Sequence, residues 1–583
     1  MPVYFLLKVL LLLLILITRM TSEPQLLSDP FLQQPSETSV RVVWFTKFAG
    51  SSHTVAYGKD LNYKVSATTT KLSRTREDEK SRLGNQNHEN QVDKQPRKRD
   101  IWRHEAEVEG LTSGTRVPYQ VTSVQEDGKT VSSGVFSLAP QPQAGTALKI
   151  LLTSDHQLMP MTSANLQKVV ETMGRVDAVF HAGDLVNIPD RASEWFDDNR
   201  GGAFFPCLQG RARYELEKNG VKTIYRGGEL IQHAPLFTAI GNHEVMGRFS
   251  SENSLYHQMN DAFPRSAAEQ LYTTYAKLLN PEDDPKVREA WLKDHSFNTD
   301  TYEEIFSLPQ SSQGGKKYYA TTFGDIRLVV LYATNFWGKP GLEANVRGKY
   351  REREQYLNNP NQWGYGQHIF EPIAKGSKQY IWLEQELNSP EFQQAKYKVV
   401  MLHHPPHTLG DNIVPAYTDP VQVIERHEDG SIQAVRYEYP KDADYLIRDV
   451  VPLLEKAGVQ LVFFGHSHLW NRFVSPSGMH FLETSNVGNS YGAAIADRQR
   501  PVPKGYQEDY VAIGDPNGLE PIVPAIAPLR DADGKLLPYI GSNDFTVFSI
   551  LDTGAGSVSS YYFDTREPRS KVVKFDEFSL NAP

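Results

Sequence analysis

A chain of 583 residues is too long for a single apolar core, and 39% hydrophobic, 11% aromatic and 22% charged residues exclude global disorder. A formal charge of -9 carries no basic excess, so no nucleic-acid partner is expected and any grip on phosphate has to be built locally. The single cysteine, Cys207, excludes an intrachain disulfide; nothing in Phe205-Pro206-Cys207-Leu208 marks a nucleophile, and it reads as a small packing residue.

The chain opens with Met1 to Lys8, then an unbroken apolar run from Val9 to Ile17 closed by Thr18 and Arg19. That is the shape of an export leader, so residues 1–24 read as a signal peptide or signal anchor and the protein as exported: periplasmic, secreted or held at the membrane surface. The run is short for a span of about 20 residues, which confines membrane contact to such an anchor.

Residues 28–139 alternate with period two, at Val40, Val42 and Trp44, at Trp102, His104, Ala106 and Val108, and at Tyr119 and Val121. This is the pattern of an antiparallel β-sandwich. The stretch Leu111-Thr-Ser-Gly114-Thr-Arg-Val-Pro-Tyr119-Gln-Val121 resembles the turn and corner-tyrosine strand of a fibronectin type III domain. Between these strands, residues 70–100 are dense in charges of both signs, and such runs are usually solvated, so a mobile loop is expected in preference to a docking site.

Pro140-Gln-Pro-Gln-Ala-Gly145 reads as a linker, and the rhythm then changes over residues 147–575. Short apolar runs, Leu148–Thr153, Val176–Phe180, Leu236–Ile240, Lys398–Leu402 and Val459–Phe464, read as buried strands. Helical faces at Leu166, Val169, Val170 and Met173, at Tyr380, Leu383 and Leu387, and at Leu446, Val450, Leu453 and Leu454 alternate with them, with Pro452 kinking the last or marking its start. The sum is an α/β domain. The stretches 191–233, 247–313, 337–374 and 405–442 lack this rhythm and read as insertions that form rims or lids. Phe545–Leu551 and Val558–Phe563 return to strands, expected to complete a second sheet.

Each apolar run ends in metal-ligand residue types: Ser154-Asp155-His156-Gln157, His181-Ala-Gly183-Asp184, Gly241-Asn242-His243-Glu244, His403-His404-Pro405 and Gly465-His466-Ser467-His468. Open α/β sheets place ligands beyond the carboxyl ends of their strands, so these loops are expected to converge. Imidazole and carboxylate without thiolate suit Zn, Fe, Mn or related ions.

Taken in order, the blocks resemble the calcineurin-like metallophosphoesterases, and Gly465-His-Ser-His468-Leu-Trp-Asn-Arg472 is similar to the block that ends the motif set of purple acid phosphatases. The resemblance implies a four-layer αββα sandwich behind the small all-β, fibronectin type III-like domain. It implies two divalent or trivalent metal ions (Fe, Mn, Zn or Co) and hydrolysis of phosphate esters by a hydroxide that the two ions make available. Carried over position by position, it makes Asp184 the bridge, gives Asp155 and His468 to one ion, and gives Asn242, His403 and His466 to the other. His243 becomes the catalytic histidine, and His404 a residue that either supports the ligands from behind or faces the substrate. Arg472 is weighed between a structural charge and a substrate contact.

Two departures stand out. Gln157 occupies a place where many members have a ligand histidine, so ligation and supporting hydrogen bonding are weighed evenly for it. Asn187 stands where purple acid phosphatases have a tyrosine ligand, so no iron–tyrosinate colour is expected. The alternative function is an exported metal-containing binding module with a degenerate, non-hydrolytic site. Monoesters, diesters and pyrophosphates are all open as substrates, as is the oligomeric state.

Overall fold

The computed structural model describes residues 25–83, 95–338, 348–500, 502, 513–526 and 528–580. The expected leader, 1–24, and the middle of the charged run, 84–94, lie outside the described residues. Among the described residues no helix is long and apolar enough to cross a membrane.

The N-terminal part is a sandwich of two antiparallel sheets. One runs Phe31–Gln33, Val40–Thr46, Trp102–Val108, Thr68–Lys71; the other runs Thr130–Ser132, Val117–Val124, Ser52–Tyr57, Tyr63–Ser66, with Phe136–Leu138 also paired to Val117–Val124. The expected alternation supplies its core: Val40, Val42 and Trp44 face Val55, Tyr119 and Val121, all fully buried. The Trp44 indole N–H finds Ser123 Oγ at 2.9 Å, so the buried ring leaves no donor unpaired. Tyr119 departs from the expected corner: its hydroxyl donates across the domain seam to the Gln232 carbonyl, at 2.8 Å.

Alternate residues of the same strand point into the seam. Phe45 packs against Phe196 and Phe205 with ring centroids 4.9 and 5.4 Å apart, and Phe31, Leu72 and Ile101 join the same apolar cluster as the sheets of the C-terminal part. The ends of the charged run correct the expectation of a solvated loop. Arg76 and Asp78 are each 6% exposed, and Glu77 is buried too. Arg76 meets Asp190 at 2.7 Å, Arg191 holds both oxygens of Asp78 at 3.0 and 3.1 Å, and Arg99 grips Asp197 through two bonds of 2.8 and 2.6 Å. A charge taken out of water needs a partner of opposite sign, and here the partners stand on the other domain, which sequence spacing does not show.

The C-terminal part has two mixed sheets. The first runs Leu236–Thr238, Ala178–His181, Lys149–Thr153, Phe545–Asp552, Ser557–Asp564, Val573–Ser579, its first three strands parallel. The C-terminal strands therefore extend the first sheet through antiparallel pairing with Lys149–Thr153, where a second sheet was expected. The second runs Tyr319–Phe323, Ile326–Val330, Tyr397–Met401, Leu461–Phe464, His480–Thr484, Trp470–Val474, Tyr539–Ile540. The parallel strands of both sheets are buried along nearly their whole length, because helices cover one face and the facing sheet the other. Helix Thr162–Met173 flanks the first sheet, and Lys378–Leu387 and Val451–Lys456 belong to the second, the last with Pro452 in its first turn after a π turn over Leu446–Val450.

The segment 247–313 carries helices Leu255–Met259, Arg265–Leu279, Pro285–His295 and Asp300–Ile305. The two longest bury only Ala268, Tyr272 and Leu292, a stripe too narrow to register as apolar rhythm.

Candidate metal centre

Five loops bring the site together at the carboxyl ends of the parallel strands. Lys149–Thr153 delivers Asp155, Ala178–His181 delivers Asp184, and Leu236–Thr238 delivers Asn242, all from the first sheet. Tyr397–Met401 delivers His403 and Leu461–Phe464 delivers His466 and His468, from the second. Asp155, Gln157, Asp184, His466 and His468 all hold positive φ, from 41° to 83°, a left-handed conformation that side chains rarely adopt. Such strain of order 1 kcal/mol or more per residue is sustained only where surrounding contacts dictate it. Glycines permit the crowding: a methyl on Gly241 would run into the Asp184 carboxylate, and one on Gly465 into that of Asp155.

Two groups of side chains emerge. Ligand atoms of Asp184, His403 and His466 lie within 4.8 Å of one another, as do those of Asp155, Asp184 and His468, so Asp184 belongs to both. His403 Nε2 is the hub of the first, 3.2 Å from Asn242 Oδ1, 3.2 Å from His466 Nδ1 and 3.3 Å from Asp184. Its Nδ1 faces the Ala182 carbonyl at 2.8 Å, which leaves Nε2 turned to the cluster. His468 is oriented likewise, Nδ1 against Asn489 Oδ1 at 2.6 Å and Nε2 3.4 Å from Asp155.

The electrostatics call for cations. Desolvation lifts Asp155 well above the ordinary carboxylate range; His403 opposes the rise and Asp184 adds to it. Desolvation would lift Asp184 too, but attraction to His403, and next to His243, outweighs it and holds this carboxyl low. Burial works against the His403 imidazolium, yet Asp184 and Asp155 raise its pKa to about 10. His403 is thus favoured in its charged form by two buried carboxylates, a place where a metal ion could balance the charge. Burial keeps His466 neutral and lowers His468 to about 4, which leaves lone pairs available. His466 Nε2 and Gln157 Oε1 are buried without a hydrogen-bond partner. Carboxylates, imidazoles and amides with orphaned acceptor atoms fit hard or borderline divalent and trivalent ions.

The other expected residues fall as follows. Gln157 Nε2 donates to Asp184 Oδ2 at 3.0 Å, and its backbone is fixed by Asn187, whose amide donates to the Gln157 carbonyl at 2.6 Å. His243 donates its backbone N–H to Asp184 Oδ1 at 2.9 Å, and its Nδ1 lies 2.8 Å from the Asn187 carbonyl. His404 is not placed at a substrate surface: it is 2% exposed, packed on Tyr417 at 4.6 Å between ring centroids. Arg472 is not there either. It pairs with Asp576 through bonds of 2.8 and 3.2 Å and lies over Phe578, because its strand turns this side chain toward the C-terminal strand Val573–Ser579.

Three supporting residues received no role from the sequence. Glu244 accepts the backbone N–H groups of Gly241, Asp184 and Leu185, each at 2.8 Å. Its signal was present: an acidic residue three places into a turn commonly reaches back to the turn's first amide. Glu483 takes the Ser467 N–H at 2.8 Å and so fixes the loop between His466 and His468, and Asn489 orients His468. Neither has a local signal, since both contacts are made by folding alone.

Residues 148–469 match the family model described as calcineurin-like phosphoesterase, and residues 30–139 match that of the purple acid phosphatase N-terminal domain. Among solved structures, purple acid phosphatase PPD1 from yellow lupin (Lupinus luteus) seeds is similar in fold, at 14% identity and a TM-score of 0.51, over 94% of this chain and 74% of that one. PhoD overlays at 12% identity and a TM-score of 0.40, over 95% of this chain and 92% of that one. No curated protein matches the chain. With more than half of its length under the family model and ligand residues gathered at the strand tips, this chain belongs to the calcineurin-like phosphoesterases.

Proposed function

We propose that the chain hydrolyses phosphate esters with two metal ions, one held by Asp155, Asp184 and His468, the other by Asp184, Asn242, His403 and His466, with Gln157 in support. The observation that carries this reading is the sharing of Asp184 between two groups of potential ligands. Bound there, the ions supply positive charge for the phosphoryl oxygens and an acidified water as the attacking group.

The chain's own residues do the rest. With Nδ1 turned to the Asn187 carbonyl, His243 has Nε2 left for the substrate, and in its imidazolium form that atom donates to the departing oxygen. The water gives up a proton to solvent, its oxygen bonds to phosphorus as the bond to the alcohol oxygen breaks, and the alcohol leaves with the proton from His243. Glu244 and Glu483 hold the loops in place throughout. Export through residues 1–24, a sandwich over 28–139 and a catalytic unit over 147–575 belong to the same reading.

The test is hydrolysis of a chromogenic phosphomonoester and a diester after chelation and re-addition of Mn, Zn, Fe or Co, with Asp184→Asn as control. Metal-dependent turnover that Asp184→Asn abolishes supports the hydrolase. Bound metal with no turnover across a broad panel of phosphate esters favours the binding module.

A further inference from the structure

A cavity of about 450 Å³ opens at Asn242 and His243 and extends well beyond the space a phosphate group fills. Trp337 and Tyr491 line it, 40% and 48% exposed, with the Tyr491 ring tilted by 38° against His468 at 4.5 Å between centroids. The sandwich domain contributes Lys80 and Arg82 to the lining.

These two cations differ from the others around the cavity. Arg191 is consumed by Asp78 and Glu194, and Arg200 by Asp198. Lys80 and Arg82 are exposed, and neither makes an ion pair among the described residues. Their backbone is nonetheless fastened. Asp78 accepts the Lys80 N–H at 3.1 Å and is itself locked to Arg191, while the Arg82 carbonyl accepts the Asn199 N–H at 2.8 Å. The buried ion pairs of the seam thus hold two positive charges, unpaired among the described residues, on the wall of this cavity.

We propose that Lys80 and Arg82 bind a second anionic group on the leaving-group side of the substrate, which makes the preferred substrate a small phosphate ester whose alcohol portion carries further negative charge. Trp337 and Tyr491 cover the apolar body between the two charges. The proposal rests on the phosphoesterase reading for the position of the scissile phosphate, and on the cavity wall for the rest. It gives the sandwich domain a part in substrate choice.

The experiment uses the metal-loaded full chain, phenyl phosphate and its ring-carboxylated counterpart, and the matching pair of non-hydrolysable phosphonates in calorimetry. The wild type is expected to favour the carboxylated member of each pair by roughly fivefold, in kcat/KM and in Kd, and the preference to fade at high salt. Lys80→Ala/Arg82→Ala brings the ratio toward one, and Lys80→Arg/Arg82→Lys restores it. A wild type without preference, or an alanine variant that keeps it, overturns the proposal. Absence of all turnover alongside a phosphonate preference that the alanine variant loses removes the hydrolase reading and leaves this one standing.

Discussion

Asp184 and Glu244 stand on neighbouring loops, and one oxygen of the Glu244 carboxylate takes the Asp184 backbone N–H at 2.8 Å while the other takes that of Leu185 at the same distance. Desolvation, and then the Asp184 charge, lift the Glu244 carboxyl to about 8. Glu244→Gln puts an amide N–H₂ against backbone donors, so it is expected to lower stability by about 1–3 kcal/mol and to reduce the bound metal. Urea unfolding together with elemental analysis of the dialysed protein measures both. A variant with full metal content and unchanged midpoint would show that the carboxylate does not position Asp184.

Gln157 touches the shared carboxylate through Nε2 and leaves Oε1 unpartnered. Gln157→Ala removes both and is expected to weaken metal retention by roughly 10- to 100-fold, whereas Gln157→His strengthens it. Competition with a chelator of known affinity reads the difference. Equal retention in all three proteins would make Gln157 a bystander.

Arg472 separates structural from substrate-facing charge. Its removal leaves Asp576, 4% exposed, without its cation. Arg472→Met is expected to lower stability by about 3–5 kcal/mol while KM for a phosphomonoester stays within about twofold. A large rise in KM at unchanged stability would return Arg472 to the substrate.

Lys349 supplies a pH signature. The residue is 4% exposed, its ammonium donates to the Val414 carbonyl at 2.9 Å, and burial lowers its pKa from 10.5 to about 7 against a partial pull upward from Asp411. Below the folded value the group is charged in both states, so folding carries the full desolvation penalty. As pH climbs from about 7 to about 10.5 the folded chain sheds the proton that the unfolded chain keeps, and this penalty is relieved. Lys349→Met lacks the titration, so its stability relative to wild type is expected to fall by on the order of 1–4 kcal/mol across that window. Thermal unfolding at about pH 6, 8 and 10 follows it, and parallel curves would contradict a buried, titrating lysine.

The convergence of the five loops was legible because the pattern that marks them is local. A buried strand, a glycine and a carboxylate or imidazole stand side by side in the chain, as in Gly183-Asp184 and Gly465-His466. What escaped reading was paired over distance. Arg472 and Asp576 are 104 residues apart, and Arg191 and Asp78 are 113 apart, so each charge taken alone looks like surface. His404 misled for the opposite reason: its sequence neighbour His403 reaches the cluster, but adjacent residues at a strand end point to opposite sides, and His404 turns inward to Tyr417.

The aromatic contact of Phe45 with Phe196 and Phe205 has a consequence for how this chain can be taken apart. Severed near Pro140, each fragment would offer a freshly bared, greasy flank to its surroundings, and neither would be expected to survive refolding alone. The two halves are therefore expected to melt as one cooperative body, and a shortened gene beginning at the second half to yield inclusion bodies before it yielded a smaller soluble protein.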